Sequence, residues 1–92
     1  MSVRVLIPTP LRGLTGDQRE VTGSGSTLAQ LLQDLETRHP GLEAKLLSSD
    51  RRALRRFVLV FVNGQDVAGA KSLETPLTDG DEVAITLAIA GG

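Results

Sequence analysis

Residues 25–42 read GSTLAQLLQDLETRHPGL, and this stretch decides the fold. Thr27 followed three residues later by Gln30 is a capping box, in which side-chain oxygens satisfy the free backbone N–H groups at a helix start. Leucines then recur with the spacing of one helical face, at positions 28, 31, 32 and 35. Pro40 and Gly41 are typical of a helix stop. The stretch therefore predicts one helix, with a leucine stripe that a sheet must cover.

The residues before this helix alternate between apolar and polar, as strands do. Val3, Val5 and Ile7 fall on one face of a first strand, which is closed by two prolines. Residues 13–17 contain the Gly and Asp typical of turns, and residues 18–22 read as a shorter, more polar strand. Together these segments predict an N-terminal hairpin with a long loop.

The residues after the helix predict more strands. Leucines at 42, 46 and 47 allow one further helical turn, and a polar loop follows over 48–56. Residues 57–62 read FVLVFV and lead into Asn63-Gly64, the dipeptide that most favours a tight hairpin turn, with a short return strand over 65–67. Turn-forming residues over 78–81 precede a last strand, whose inward-facing residues are predicted to be Val83, Ile85, Leu87 and Ile89.

The order is therefore strand, strand, helix, strand, short strand, strand. This order predicts an α+β fold of the ubiquitin-like β-grasp type, with one mixed sheet of four or five strands packed on one main helix. The chain has 92 residues, which suits a single domain over 1–92. A flexible Gly-Gly tail is expected after the last strand.

Composition excludes several classes of function. The chain has no cysteine, so it cannot form a disulfide, an iron–sulfur cluster, a zinc ribbon or a thiol nucleophile of its own. Its net charge is -1 and its only aromatic residues are two phenylalanines, which argues against nucleic-acid binding. Arg4 interrupts the short apolar run at the start, so that run is neither a secretory signal nor a membrane span. We expect a cytoplasmic protein that binds no nucleic acid and no membrane.

Three polar features carry competing interpretations. The densest positive cluster either docks an acidic partner or is a solvated loop, and it comprises Arg51, Arg52, Arg55 and Arg56. His39 is the only histidine and fits a helix C-cap better than catalysis, so no nucleophile–base pair and no three-ligand metal site are apparent. The acidic residues over 79–82 lack the ligand spacing of a calcium loop and fit turn formation instead.

The end of the chain carries a resemblance to a known family. The sequence from Asp79 to Val83 reads DGDEV and is followed by the closing Ala90-Gly91-Gly92. With the helix described above, these motifs resemble the MoaD/ThiS family of sulfur-carrier proteins over essentially the whole chain. Within that family, the residues from Ile7 to Arg12 are similar to the start of the carrier used in cysteine biosynthesis, the CysO type.

The resemblance implies a protein co-substrate and not an enzyme. An E1-like adenylyltransferase, using ATP and Mg²⁺, would adenylate the carboxylate of Gly92. A sulfur donor, either a sulfurtransferase or sulfide, would then displace AMP to leave a thiocarboxylate. An acceptor enzyme would take the sulfur, with cysteine synthase ranked first and the large subunit of molybdopterin synthase second. Thiamine and tRNA-thiolation pathways are further alternatives. Gly91 and Ala90 would thread into the partner, and the carrier itself would bind no cofactor.

Two other classes of function remain open from sequence alone. In a ubiquitin-like modifier, the activated Gly92 would end in an isopeptide bond to a lysine of another protein. In a plain β-grasp interaction module, the tail would be irrelevant. All three classes need a docking face on the sheet. The candidates are either the valines of residues 57–62 or the opposite set, Phe57, Leu59 and Phe61.

Overall fold

The computed structural model describes residues 2–67 and 72–88. Their strands are β1 (Val3–Leu6), β2 (Glu20–Gly23), β3 (Val58–Val62), β4 (Gln65–Asp66) and β5 (Glu82–Leu87), and their α-helices are α1 (Leu28–Arg38) and α2 (Leu42–Leu46). The strands form one sheet in the order β2-β1-β5-β3-β4. The central pair, β1 and β5, is parallel, and the other neighbours are antiparallel. The predicted β-grasp fold with a mixed sheet is confirmed.

Helix α1 begins and ends where the sequence predicts. The Thr27 hydroxyl accepts a hydrogen bond from the N–H of Gln30 at 3.3 Å, and the Gln30 side chain accepts one from the N–H of Ser26 at 2.8 Å. The four leucines of the stripe are each at most 1% exposed. Burying a leucine stabilises a fold by about 1.5–3 kcal/mol, so the stripe is the main anchor of α1 on the sheet. At the other end, the N–H of His39 donates to the carbonyl of Leu35, which confirms the predicted C-cap.

The inward face of the sheet is aliphatic. β1 contributes Val3 and Val5, β5 contributes Val83 and Ile85, and all four are at most 3% exposed. In β3 the inward residues are the valines at 58 and 60, which lie opposite Leu87 and Ile85 of β5. Because successive strand residues point to opposite faces, Leu59 and Phe61 lie on the outer face. Val58 and Val60 are therefore in the core and cannot be a docking surface, and the half-buried Val62 packs against that core.

The connection between β1 and β2 differs from the predicted loop. Residues Thr9–Thr15 form a 3₁₀ helix that begins immediately after Pro8. Its end is closed by backbone hydrogen bonds from Asp17 to Arg12 and from Gln18 to Thr15, so residues 17 and 18 cannot join the sheet. β2 consequently begins at Glu20, two residues later than the sequence predicts, and the predicted start of this strand was wrong.

The remaining connections follow the turn chemistry of the sequence. Asn63 and Gly64 adopt φ values of 51° and 85°, as the tight turn between β3 and β4 requires. The polar loop over 48–56 is tied back to α2, because the N–H of Arg55 donates to the carbonyl of Leu46 at 2.9 Å. Across residues 2–67 and 72–88, no helix is long and apolar enough to cross a membrane.

Candidate functional site

The tail leaves the fold from the central strand. β5 is hydrogen-bonded to β1 on one side and to β3 on the other. The last described residue is Ala88, whose N–H donates to the carbonyl of Phe57 at 2.7 Å. The predicted tail residues Ala90, Gly91 and Gly92 lie outside the described residues. The platform that would present them is therefore what the structure defines.

An apolar patch crosses the outer face of the sheet beside this platform. Leu6 of β1, Ala84 of β5 and Phe61 of β3 are direct neighbours in the strand register. Leu59 lies two inter-strand pairs further along, on the same face and opposite Thr86. We call Leu6, Ala84, Phe61 and Leu59 the sheet patch; all four are half-buried in the monomer. A contiguous apolar patch of this kind on a small protein is typical of a protein-docking surface.

Charged residues border the sheet patch on the β2 side. Arg4 Nη2 lies 3.2 Å from Glu82 Oε2, and Arg4 Nη1 lies 4.0 Å from Glu20 Oε1. Ion pairs this exposed contribute at most about 1 kcal/mol each to stability. Their position beside an apolar patch matches the polar rim that surrounds the apolar centre of most protein interfaces.

The four arginines of the sequence cluster do not act as one group. Arg51 Nη1 pairs with Glu43 Oε1 at 3.4 Å, and the side chain of Glu43 is only 7% exposed. Arg55 Nε donates to the carbonyl of Ala44 at 3.0 Å. These two arginines hold the loop against α2, whereas Arg52 and Arg56 are exposed. Docking by the cluster stays a prediction, and only Arg52 and Arg56 have side chains that are not already engaged in holding the loop.

Phe57 is the most exposed of the three predicted docking residues from the FVLVFV segment. It is 39% exposed and precedes β3, beside the point where β5 ends. Leu59 and Phe61 are in the sheet patch. The predicted set thus divides into two members on the sheet face and one near the base of the tail, and its docking role stays a prediction.

The acidic turn before β5 is a structural device. The carboxylate of Asp81 accepts hydrogen bonds from the backbone N–H and hydroxyl of Thr78 and from the side-chain amide of Asn63. The Thr78 N–H first, and then the Asn63 amide, lower the pKa of Asp81 below its ordinary value. Asp79 accepts a hydrogen bond from the N–H of Ser2 at 2.7 Å. Among the described residues, no group of three or more potential metal ligands exists.

A model of the ThiS family matches residues 5–92. The chain belongs to the ThiS family. Over its whole length it is 44% identical to the sulfur carrier protein CysO of Mycobacterium tuberculosis, which is likewise covered completely. Family membership and this level of identity show that the chain is a sulfur carrier protein of the CysO type. The prediction that it belongs to a non-catalytic family of proteins is thereby confirmed.

Solved structures agree with this ThiS-family assignment. A chain of the Amycolatopsis orientalis BexX/CysO complex superposes with a TM-score of 0.88 at 41% identity, covering 98% of this chain and 99% of that one. The small archaeal modifier protein 1 of Methanosarcina acetivorans superposes with a TM-score of 0.80 at 27% identity, covering 99% and 96% of the two chains. A CysO relative therefore has been observed in complex with another protein, BexX.

Sequence reasoning missed half of the sheet patch. Leu6 and Ala84 did not appear as docking candidates, although each alternates with buried neighbours in its strand. Their alternation was a usable signal for an outward position. What the sequence did not supply was the strand order, which places both residues beside Phe61.

Proposed function

We propose that the carboxylate of Gly92 is the sulfur-bearing group of this carrier. The supporting observation is the position of β5, a central strand that pairs with both β1 and β3. Just after its end, the N–H of Ala88 donates to the carbonyl of Phe57, which fixes the origin of the tail beside the sheet patch. A carrier without catalytic residues needs to do only two things. It must present its carboxylate at a fixed place, and it must offer a surface that its partners recognise.

The chemistry proceeds in two steps on a partner enzyme. An E1-like adenylyltransferase binds ATP and Mg²⁺, and a Gly92 carboxylate oxygen attacks the α-phosphorus of ATP to give an acyl adenylate and pyrophosphate. Sulfide then attacks the acyl carbon and expels AMP, which gives the thiocarboxylate directly. Alternatively, the outer sulfur of a sulfurtransferase persulfide attacks and expels AMP to give an acyl disulfide, and a thiol then cleaves its S–S bond to release the thiocarboxylate. The product is a thiocarboxylate, which is the sulfur donor for an acceptor enzyme.

The chemistry of the terminal carboxylate and of the two glycines fits activation by a partner enzyme. A terminal carboxylate has an ordinary pKa of about 3.3–3.7, so it is ionised at neutral pH and able to attack phosphorus. It is a poor electrophile until it becomes a mixed anhydride, and so activation by ATP must precede sulfur transfer. Gly91 and Gly92 lack a Cβ, which lets the tail enter a narrow cleft that side chains would obstruct.

The sheet patch is the proposed docking surface for the adenylyltransferase. Phe61 lies between Ala84 of β5 and Leu59 of its own strand, and Leu6 lies at the β1 edge of the patch. Arg4 with its two acidic partners forms the rim. In protein interfaces, aromatic residues near the centre carry a disproportionate share of the binding energy. Phe61 is accordingly the first residue to substitute in a binding assay.

Cysteine biosynthesis is the proposed pathway, with a cysteine synthase acting on an activated serine as the acceptor. The 44% identity to CysO of M. tuberculosis supports this assignment. Molybdopterin synthase, thiazole synthase and tRNA-thiolating enzymes are the alternative acceptors. We also propose a cytoplasmic location, because the ATP-dependent activation requires the nucleotide pool of the cell.

A ubiquitin-like modifier is the second candidate. The similarity to a small archaeal modifier protein over nearly the whole chain favours keeping it. Both functions share the adenylate, and they differ in the nucleophile that displaces AMP. Sulfur gives a thiocarboxylate, whereas the amine of a lysine gives an isopeptide bond to a second protein.

Intact-mass spectrometry tests the proposed function directly. The protein is incubated with ATP, Mg²⁺, its activating enzyme and a sulfur donor, and a variant lacking Gly92 serves as the matched control. We expect a mass gain equal to the exchange of one oxygen for one sulfur, in the full chain only. An unchanged mass, with an enzyme shown to activate another carrier, would refute the sulfur-carrier chemistry. Isopeptide-linked products in extract would favour the modifier.

A further inference from the structure

A groove lies at the base of the tail, beyond the point where β1 and β5 cease to pair. Pro8, Thr9, Pro10 and Arg12 of the connection after β1 form one wall. Residues 85–87 at the end of β5 form the other wall. We call this the β5-edge groove, and two features of its walls indicate what it binds.

The first feature is an unpaired strand edge. β1 and β5 pair in parallel register only as far as Leu6 and Ala84. Within this register the N–H of Arg4 donates to the carbonyl of Asp81, and the pattern repeats every second residue, so residue 8 would have to serve the carbonyl of Ile85. Residue 8 is a proline and has no N–H to donate.

Pro8 also turns the chain away from β5. Its carbonyl, which would accept from the N–H of Leu87 in a continued ladder, instead accepts from the N–H of Leu11 at 2.9 Å within the 3₁₀ helix. In the part of the chain that the structure describes, no strand pairs with residues 85–87 on the β1 side. The edge of β5 is thus open to a further extended segment along the floor of the groove.

The second feature is the guanidinium of Arg12, whose terminal N–H groups are available to a partner. Arg12 Nε donates to the carbonyl of Ile7 at 3.0 Å, which fixes the side chain at the wall of the groove. Within residues 2–67 and 72–88, the Arg12 side chain makes no other hydrogen bond and no ion pair. The two terminal nitrogens of an arginine match the two oxygens of a carboxylate, and such charge-assisted pairs are among the strongest hydrogen bonds in proteins.

The length of the tail decides which protein covers the groove. Gly92 is the fourth residue after Ala88. Since an extended chain spans at most about 3.3–3.6 Å per residue, the Gly92 carboxylate lies within about 14 Å of Ala88. An enzyme that encloses this carboxylate must therefore lie against the surface around the end of β5, and that surface includes the β5-edge groove.

We propose that the β5-edge groove binds an extended segment of the activating enzyme, which adds to the open edge of β5 and places an Asp or Glu carboxylate on Arg12. The segment adds by backbone hydrogen bonding, as in other cases of β-strand addition. This inference rests on the proposed function, because its occupant is the enzyme that adenylates Gly92. It assigns Arg12 a role in recognising the partner, separate from that of the sheet patch.

The test is the dependence of thiocarboxylate formation on carrier concentration. Arg12→Gln removes the charge, and Arg12→Lys keeps the charge but loses the fork. We expect Arg12→Gln to raise KM about tenfold with kcat unchanged, the usual range for loss of a charge-assisted hydrogen bond, and Arg12→Lys to fall between it and the wild type. The matched control is Arg19→Gln, an exposed arginine that precedes β2 on the opposite side of β1 from β5. Far-UV circular dichroism monitors folding of every variant.

A photo-crosslinking amino acid at Thr9, an exposed residue of the groove wall, provides a second readout that does not depend on Arg12. We expect crosslinks to one segment of the activating enzyme that contains an Asp or Glu. An unchanged KM for Arg12→Gln, an equal rise for Arg19→Gln, or crosslinks confined to segments without an acidic residue would each overturn the inference and leave the proposed function standing. Failure of the wild type itself to gain sulfur would overturn both.

Discussion

Gly25 is the position at which one added methyl group should disturb the fold most. A Cβ built on Gly25 would lie 2.5 Å from the backbone nitrogen of Leu31 and 2.8 Å from the carbonyl carbon of Gln30. Both atoms belong to the backbone of the first turns of α1, so no side-chain rotation relieves the contact. The φ of Gly25 is not positive, which means that Gly25→Ala tests this contact and not backbone strain.

The expected loss of stability in Gly25→Ala has two sources, the close contact itself and the disturbed helix cap. Overpacking of a close contact costs about 1–3 kcal/mol. A shift of residue 25 also disturbs the capping box at Ser26, Thr27 and Gln30, and losing a helix cap costs about 0.5–2 kcal/mol. We expect a loss of about 2–4 kcal/mol. Because each kcal/mol shifts Tm by about 4–8 °C at this size, Tm should fall by roughly 10–30 °C.

Gly13→Ala is the matched control. Nothing lies within 4 Å of a Cβ on Gly13, and its φ is not positive either. The same substitution should therefore be neutral or stabilising by up to about 1 kcal/mol, through the unfolded state. The chain has no Trp or Tyr, so thermal unfolding is best followed by far-UV circular dichroism or calorimetry. Equal Tm changes for the two variants would refute the steric reasoning.

Three further predictions concern the surface and the turns. Phe61→Ala should raise KM for thiocarboxylate formation about tenfold or more while the fold is retained, because aromatic residues at the centre of an interface carry much of the binding energy. An unchanged KM would exclude the sheet patch as the docking surface. The N–H groups of Glu43 and Gly41 hold the pKa of Glu36 below its ordinary value of 4.5, so this carboxylate stabilises the fold above about pH 4.5 and ceases to do so as pH falls through its lowered pKa. Urea titrations at several pH values should thus show Glu36→Gln less stable than the wild type at pH 7, with a difference that shrinks towards pH 3; a constant difference would contradict this. Asn63→Ala should lose roughly 2–3 kcal/mol, since it removes hydrogen bonds to Asp81 and Glu82 and places alanine at a φ of 51°, whereas Asn63→Gly should lose less in the same urea titration.

The sequence predicted well those elements whose signals are local. The capping box and leucine spacing of α1, the turn at Asn63-Gly64 and the alternation in β1 and β5 each depend on residues close in the chain. The physical reason is that helix caps, tight turns and strand alternation are decided within a few residues. For the same reason the confirmed fold could be recognised from the order of such elements.

Most of what sequence reasoning missed depends on contacts between distant residues, and the 3₁₀ helix is the exception. The 3₁₀ helix after Pro8 is closed by hydrogen bonds within a stretch that contains no strong helical signal, so a loop was the natural expectation. The sheet patch requires the parallel pairing of β1 with β5, two strands at opposite ends of the described chain. The open edge beside Arg12 depends on this same pairing. Pro8 ends the hydrogen-bond ladder between β1 and β5, and the sequence around Pro8 does not indicate that this ladder exists.

The central place of β5 has a consequence for the way the chain acquires its structure. β5 is the last of the five described strands in chain order, yet it lies between β1 and β3 and joins the β1–β2 pair to the β3–β4 pair. Contacts of such long sequence separation form slowly, because a large loop must close before they stabilise anything. A chain that still lacks β5 can pair β1 with β2 and β3 with β4, but it cannot join the two pairs into one sheet. The proposed docking surface and the base of the tail therefore form in the same step, so a partner that requires both would not bind a chain whose sheet is incomplete.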